Sequence, residues 1–327
     1  MAALALEART ESIFHDDSYG YRPRRSALDA VAACRLRCQQ KSWTIDLDVA
    51  KFFDSVDHEL MVKAVEANIT TDQRWVLLYV KRWLTAPLQQ TDGTRVARER
   101  GTPQGSAVSP VLANLFLHYA FDSWLEREFP TVEFERYADD AVVHCVTERQ
   151  ARQVLAALAE RMAEVGLRLH PDKTKIVYCR DDNRRGTFET TSFTFLGYQF
   201  RPRTVRTQHG RLFTAFAPAI SPEALNAISR EVRRWQLHHR TGHTLGELAE
   251  WINPIVRGWI AYYGRFFRSE LHHLLKRING YLVRWARRKY RRLAGFKRVK
   301  RWWDNLLRRN RGLFAHWQYT GTFEWAR

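Results

Sequence analysis

Phe134-Glu135-Arg136-Tyr137-Ala138-Asp139-Asp140-Ala141-Val142-Val143-His144 is the stretch that decides the fold. Period-two alternation and β-branched residues around the two acids predict a strand, a tight turn carrying both carboxylates, and a returning strand. Asp tolerates turns, so both acids are expected at a hairpin tip. Adjacent unpaired carboxylates repel each other, which a bound cation relieves. Mg²⁺ in particular is held by one or two carboxylates together with substrate phosphates.

Upstream, Trp43-Thr44-Ile45-Asp46-Leu47-Asp48-Val49-Ala50-Lys51-Phe52-Phe53-Asp54 places Asp46 and Asp48 two apart on a strand-like run, hence on one face. Charges inside an apolar strand need partners. Two-metal phosphoryl transfer joins carboxylates from separate strands around cations about 4 Å apart, and Asp48 with Asp139 could supply that pair. Phe53, five residues beyond Asp48, would then lie beneath the sugar of an incoming nucleotide.

Periodicity gives the organisation around these acids. Residues 26–40 read as a helix, 43–49 as a strand, and 57–83 as one or two helices capped near Asp57. Pro87 and Gly93 punctuate a loop or hairpin. A long helix is expected over 109–128, with Ser109 as cap and Pro110 in its first turn. A helix at 148–165 ended by Gly166, a strand near 174–179 and a hairpin around 193–200 and 212–216 follow. Such an order makes an α+β sheet backed by helices. From Ser221-Pro222-Glu223 onward the pattern is helical, over about 221–240, 244–264, 268–292 and 299–310. The change of class puts a domain boundary at 218/219.

The 327 residues carry a net charge of +18, of which residues 221–327 account for +16. Eight of the twelve tryptophans fall in that same stretch. Sustained positive charge with few acids opposes folding unless an anionic partner offsets it, and aromatics interleaved with basic residues suit base stacking. A nucleic acid fits better than a membrane, since no long apolar run exists. The start, Met1-Ala2-Ala3-Leu4-Ala5-Leu6-Glu7, is too short for a signal core, so a cytoplasmic protein is expected. Four scattered cysteines do not make a disulfide framework. Cys34 and Cys38, spaced i, i+4 on a helix with no histidine pair near them in sequence, read as packing residues.

The chain resembles the bacterial group II intron-encoded reverse transcriptases, or maturases. The blocks that carry the resemblance run in order: Ser18-Tyr19-Gly20-Tyr21-Arg22-Pro23 through Ala27, the Asp48 run, Gly101-Thr102-Pro103-Gln104-Gly105-Ser106, Ser109 to Asn114 and Tyr137-Ala138-Asp139-Asp140. They continue with Gly166-Leu167, Pro171-Asp172-Lys173-Thr174-Lys175, Phe195-Leu196-Gly197-Tyr198, and Pro254 to Trp259 with Tyr262-Tyr263. The resemblance implies a polymerase palm over 1–218, with partial fingers, and an all-helical basic thumb and maturase region over 219–327.

It further implies Mg²⁺ on Asp48 and Asp139, with Asp140 adjacent, and Lys173 as proton donor to pyrophosphate, with Lys175 competing. Asp46 and Asp54 are the weaker ligands. Phe53 is expected as the steric gate against a 2′-hydroxyl, Gln104 and Arg22 as nucleotide contacts, and Leu196-Gly197 as the primer grip. Trp259, Tyr262 and Tyr263, at helical spacing, are expected in the core. His238-His239 and His272-His273 read as surface or RNA-facing residues. Group II intron RNA, a DNA target or primer and deoxynucleoside triphosphates are the implied partners, with no membrane and a possible homodimer. The family's fingers segment precedes the Ser18–Ala27 block and the chain starts too late to contain it, so truncated fingers are expected, with Arg22, Arg24 and Arg25 as nearby charge. No zinc-dependent HNH endonuclease is expected. The implied activity is RNA-directed DNA polymerase and splicing cofactor. The alternatives are a maturase that only binds intron RNA, and a domesticated or defence-associated reverse transcriptase.

Overall fold

The computed structural model describes residues 1–103, 105–207 and 209–320. Two compact units emerge: Met1–Leu196 with Arg201–Phe216, and Gly197–Phe200 with the chain from Ala217 onward.

The first unit begins with α1 (Ala2–Thr10) and α2 (Ala27–Gln40). Ser26 and Asp29 start α2 with a capping box, each side chain accepting the other residue's backbone N–H. Strand β1 (Trp43–Leu47) leads into α3 (Phe52–Ser55), α4 (His58–Glu66), α5 (Arg74–Thr85) and the short strands β2 (Leu88–Gln89) and β3 (Arg95–Val96). Asp57 caps α4 by accepting the Leu60 N–H, as its position before an apolar helical run predicts. The expected 109–128 helix is instead α6 (Ser109–Leu117), one π-helical turn (His118–Asp122) and α7 (Ser123–Glu128). Its cap is Val108 and not Ser109, because the Ser109 hydroxyl donates backwards to the Pro103 carbonyl at 2.6 Å. Then come β4 (Glu133–Tyr137), β5 (Asp140–Cys145), α8 (Glu148–Glu164), β6 (Lys175–Tyr178), β7 (Phe193–Phe195), β8 (Tyr198–Arg206) and β9 (Leu212–Ile220). Gly166 ends α8 at φ +75°, a left-handed conformation that costs glycine little.

The main sheet runs β4-β5-β1-β6, with all three pairings antiparallel. Alternation along the strands sorts its two faces. Trp43, Ile45 and Leu47 of β1 join Ala141, Val143 and Cys145 of β5 in a large apolar cluster with α4, α5, α6 and α8. Thr44, Asp46 and His144 take the opposite face, where α2 lies. Arg37 of α2 holds that side together by donating to Glu133, the Phe134 carbonyl, Glu135 and Asp17.

The second unit is helical: α9 (Pro222–Arg234), α10 (Leu245–Tyr263), α11 (His272–Lys289), α12 (Phe296–Arg309) and α13 (Trp317–Thr320). Its core corrects one expectation from sequence. Trp235, Trp285, Trp303 and Trp317 are buried against Ile252, Leu275, Ile278 and Leu282, so they are packing residues and not stacking platforms for bases. Four tryptophans and Phe314 supply the largest buried side chains of a core otherwise built of Leu, Ile, Val and Ala. Trp259 and Tyr263 pack against the same core, as their spacing suggested. Among the described residues, no helix is long and apolar enough to cross a membrane.

Candidate active site

The β4–β5 hairpin turns on two residues, with Tyr137 paired to Asp140 and Ala138 at φ +57°. The tip is therefore Ala138-Asp139, and Asp140 is the first residue of β5 and not part of the turn. A positive φ at alanine is unfavourable, so the surroundings must hold it. Three groups do. Arg136 donates to the Ala138 carbonyl at 2.9 Å and to Asn114 Oδ1 at 3.0 Å, while Asn114 Nδ2 donates to the Gly20 carbonyl at 2.6 Å. The chain at Gly20 lies so close beneath the turn that a Cβ there would sit 2.4 Å from the Ala138 nitrogen. Arg136 itself is buried and fixed by two bonds to Asp122, at 2.7 and 2.5 Å. Its guanidinium is thus bonded to Asp122 and still acts on Asp139 through space, and among the described residues no arginine forms an ion pair with Asp139.

Asp48 follows β1 and is held through its backbone. His170 N–H and the Thr174 hydroxyl donate to its carbonyl at 2.8 and 3.2 Å, and its own N–H donates to Thr174 Oγ1. The result is convergence. Asp46, Asp48, Asp139, Asp140, Asp172, Lys173, Lys175 and Thr194 line one pocket of about 380 Å³. Lys173 Nζ lies 3.2 Å from Asp48 Oδ2, and Lys175 Nζ lies 3.6 Å from Asp46 Oδ2. The two lysines therefore divide the two outer acids between them, and Lys173 is the one beside Asp48.

Electrostatics mark this pocket as a place for added positive charge. Burial pushes Asp140 up to about 8, with Asp46 and Asp139 adding repulsion and the Leu196 N–H opposing it by donating to the carboxylate. Asp46 is pushed up to about 6 by burial, against Lys175. Burial also raises Asp139, and the nearby Asp48 adds to the rise. Two lysines do not neutralise the five aspartates that line the pocket, and the carboxylate donors are all oxygen. That combination fits a hard divalent cation.

The other sequence-derived residues divide. Phe52 is the core phenylalanine, and Phe53 is half-buried with its ring edge-on to Phe52 at 5.2 Å; Phe53 does not line the acidic pocket. The Gly101 loop docks on this element, Thr102 N–H donating to the Phe53 carbonyl at 2.7 Å, and a Cβ at Gly101 would meet that oxygen at 2.6 Å. Gln104 lies outside the described residues. Leu196 and Gly197 form the two-residue turn between β7 and β8, both at positive φ, which brings the Leu196 N–H to Asp140. Arg22 is corrected. Its guanidinium is buried and donates to Glu11, the His15 carbonyl and the Ser18 carbonyl, so it braces the segment under the hairpin and is not available to a triphosphate. Sequence reasoning missed Arg136, Asn114, Asp122 and Gly20 as the supports of the turn; the signal for them was an arginine and an asparagine in otherwise apolar runs.

A reverse transcriptase (RNA-dependent DNA polymerase) family model matches residues 1–200, and a group II intron, maturase-specific domain model matches residues 225–303. Protein YkfC of Escherichia coli is 31% identical over 237 residues, covering 60% of this chain and 58% of that protein. An uncharacterized 91 kDa protein in the cob intron of Schizosaccharomyces pombe is 29% identical over 54% of this chain and 23% of its own length. Group II intron-encoded protein LtrA of Lactococcus lactis is 30% identical over 35% of this chain and 19% of its own. The chain thus spans just over half of the first of these relatives and about a fifth of the other two. A telomerase from Candida albicans, solved in complex with a TWJ fragment of telomeric RNA, superposes with a TM-score of 0.51 at 11% identity, over 99% of this chain and 56% of that one.

Proposed function

Because its first 200 residues match that model, the chain belongs to the reverse transcriptase (RNA-dependent DNA polymerase) family, and from that premise we propose that it extends a primer 3′ end with deoxynucleotides on an RNA template and serves as a splicing cofactor for group II intron RNA. The observation that carries the first half is the meeting of Asp48, Asp139 and Asp140 in one pocket, from two separate strand ends. Reverse transcriptases as a family use divalent metal ions, and Mg²⁺ is the ion this all-oxygen pocket suits best. Asp48 and Asp139 would hold it, with Asp140 behind them. When bound, the ions supply activation of the 3′ oxygen and stabilisation of the departing pyrophosphate.

The chain's own residues do the rest. Asp48 is locked through its own backbone and Asp139 through the Arg136 bond to the neighbouring Ala138 carbonyl, so they meet the ions with little reorganisation. Lys173, exposed beside Asp48, can turn from that carboxylate to donate a proton to pyrophosphate. Phe53 acts as the gate at the sugar, packed on Phe52 so that its ring cannot retreat. Leu196 and Gly197 hold the primer end through backbone groups of a rigid turn.

The second half rests on charge. On α11 and α12, Arg287, Arg288, Lys297, Arg298, Lys300 and Arg301 are all exposed, over a core that holds Trp285, Val299 and Trp303. Such a surface attracts a folded polyanion through counterion release. Primer extension on a poly-ribonucleotide template with Mg²⁺ tests the reading. Activity in the wild type that Asp139→Ala removes, with RNA affinity intact in both, supports it. RNA affinity with no extension in the wild type favours a maturase that only binds intron RNA.

A further inference from the structure

Away from the acidic pocket, the opposite end of the α2 face of the sheet holds a second constellation. Cys34 and Cys38, one turn apart on α2, and His144 on β5 are all buried, and each offers a ligand atom within 4.8 Å of the other two. Spacing of i, i+4 puts both thiols on the one side of α2 that meets the sheet. Thr44 of β1 sits opposite His144 in register, and its Oγ1 lies 3.9 Å from Cys38 Sγ and 3.1 Å from Cys179 Sγ. Cys179 follows β6 directly and hydrogen-bonds with Cys38. Elements distant in sequence thus deliver two thiols and one imidazole to a single buried spot, with the Cys179 thiol bonded to Cys38 beside it.

The histidine is set up for this role. Its Nε2 is 2.7 Å from Glu135 Oε2, and the other oxygen of Glu135 accepts from Arg37 at 2.6 Å. The ring cannot turn, and its buried Nδ1 has no partner but the Cys38 thiol beside it. A carboxylate on the far nitrogen is the arrangement that fixes the tautomer and raises the basicity of a metal-bound histidine.

We propose that Cys34, Cys38 and His144, with Cys179 as the fourth donor, hold a structural zinc ion that pins α2 to the palm sheet. Soft thiolates with an imidazole select zinc over the hard cations suited to the acidic pocket, and four protein donors leave no open position for catalysis. Tetrahedral zinc, with bonds of about 2.0 to 2.3 Å, needs its donors roughly 3.5 to 3.8 Å apart. From separations of at most 4.8 Å, the three donors therefore close by no more than about 1.3 Å on binding. Each coordinated thiol gives up its proton to solvent as its sulfur binds. Burial pushes the Cys34 and Cys38 thiols up to about 12, so without metal they remain protonated and unreactive. Cys145 is the internal control, because it faces the other side of β5 in the apolar cluster.

The test is zinc content of the full chain purified under reduction without chelator. About one equivalent is expected in the wild type and in Cys145→Ala, falling at least tenfold in Cys34→Ser, Cys38→Ser and Cys179→Ser. Since those variants could fail to fold, the wild type is also stripped anaerobically and reloaded with Co²⁺, which is expected to give thiolate-to-cobalt charge-transfer absorption that carboxylates cannot produce. A reduced wild-type chain with neither zinc nor that absorption overturns the proposal, as does full zinc content in a folded Cys34→Ser/Cys38→Ser variant. Full zinc content in Cys179→Ser overturns the fourth donor.

Discussion

Replacing Asp140 by Asn should make the metal-free protein more stable at neutral pH while abolishing the proposed primer extension. Burial beside Asp46 and Asp139 pushes Asp140 from 3.8 to about 8. Between those values the folded chain keeps a proton that the unfolded chain has lost, so stability falls as pH rises, by about 1.4 kcal/mol per unit. From pH 5.5 to 7.5 the loss is about 2.7 kcal/mol, an upper limit because the carboxylate keeps some solvent contact. For a unit of roughly 200 residues this corresponds to a Tm drop of about 6 °C. In the zinc-free chain His144, raised to about 10 by Glu135 against burial, contributes in the same direction, its stabilisation being full below 6.5 and lost as pH climbs toward 10. The informative quantity is therefore the difference between wild type and Asp140→Asn. Thermal melts of both proteins at the two pH values, in EDTA and in Mg²⁺, provide it. The variant is expected to lose most of the wild-type decline, to melt higher at pH 7.5 in EDTA, and to gain less from Mg²⁺. An undiminished decline in Asp140→Asn refutes the argument that charge crowding in this pocket is what the cation relieves.

Arg136→Ala leaves Asp122 charged, buried and unpaired, and should cost about 3–5 kcal/mol in chemical denaturation, whereas Asn114→Ala, which breaks neutral bonds, should cost about 1–3 kcal/mol. Equal costs would deny the buried pair its part in holding the turn. Phe52→Ala should destabilise by about 3–5 kcal/mol, while Phe53→Ala should cost less and instead lower discrimination between deoxy- and ribonucleotides in primer extension. Unchanged discrimination in Phe53→Ala removes the gate from Phe53. Neutralising Lys297, Arg298, Lys300 and Arg301 to Gln should reduce the slope of log affinity for RNA against log salt by up to about 3, at roughly 0.7 per lost contact. An unchanged slope takes α12 out of the RNA surface.

What the sequence made legible was local. The Asp139 hairpin, the capped start of α4, the Gly166 stop and the helical change of class after residue 220 follow from turn chemistry and periodicity, which act over a few residues. That Asp48, Asp139 and Lys173 meet in one pocket agrees with what spacing and resemblance led us to expect. Less legible were features decided by packing across the chain. Arg22 sits in a basic block, yet Glu11 and two carbonyls claim its guanidinium, and nothing local announces that. The tryptophans of the basic region read as stacking groups until burial assigned Trp285, Trp303 and Trp317 to the core. Cys34 and Cys38 read as packing because the histidine beside them comes from a strand 106 residues further along. The break in the 109–128 helix is a π-helical turn at His118–Asp122 that places Asp122 against Arg136, a tertiary requirement with no periodic signature.

The central claim is that Asp48 and Asp139 bind the divalent ions of nucleotidyl transfer. Titration of the full chain with Mn²⁺, followed by electron paramagnetic resonance of the free ion, measures that directly, with Asp48→Asn/Asp139→Asn as the comparison and circular dichroism to verify folding. Saturable binding by the wild type that the folded double variant loses, and that Mg²⁺ competes away, is the predicted result. Equal binding by both proteins would contradict the account.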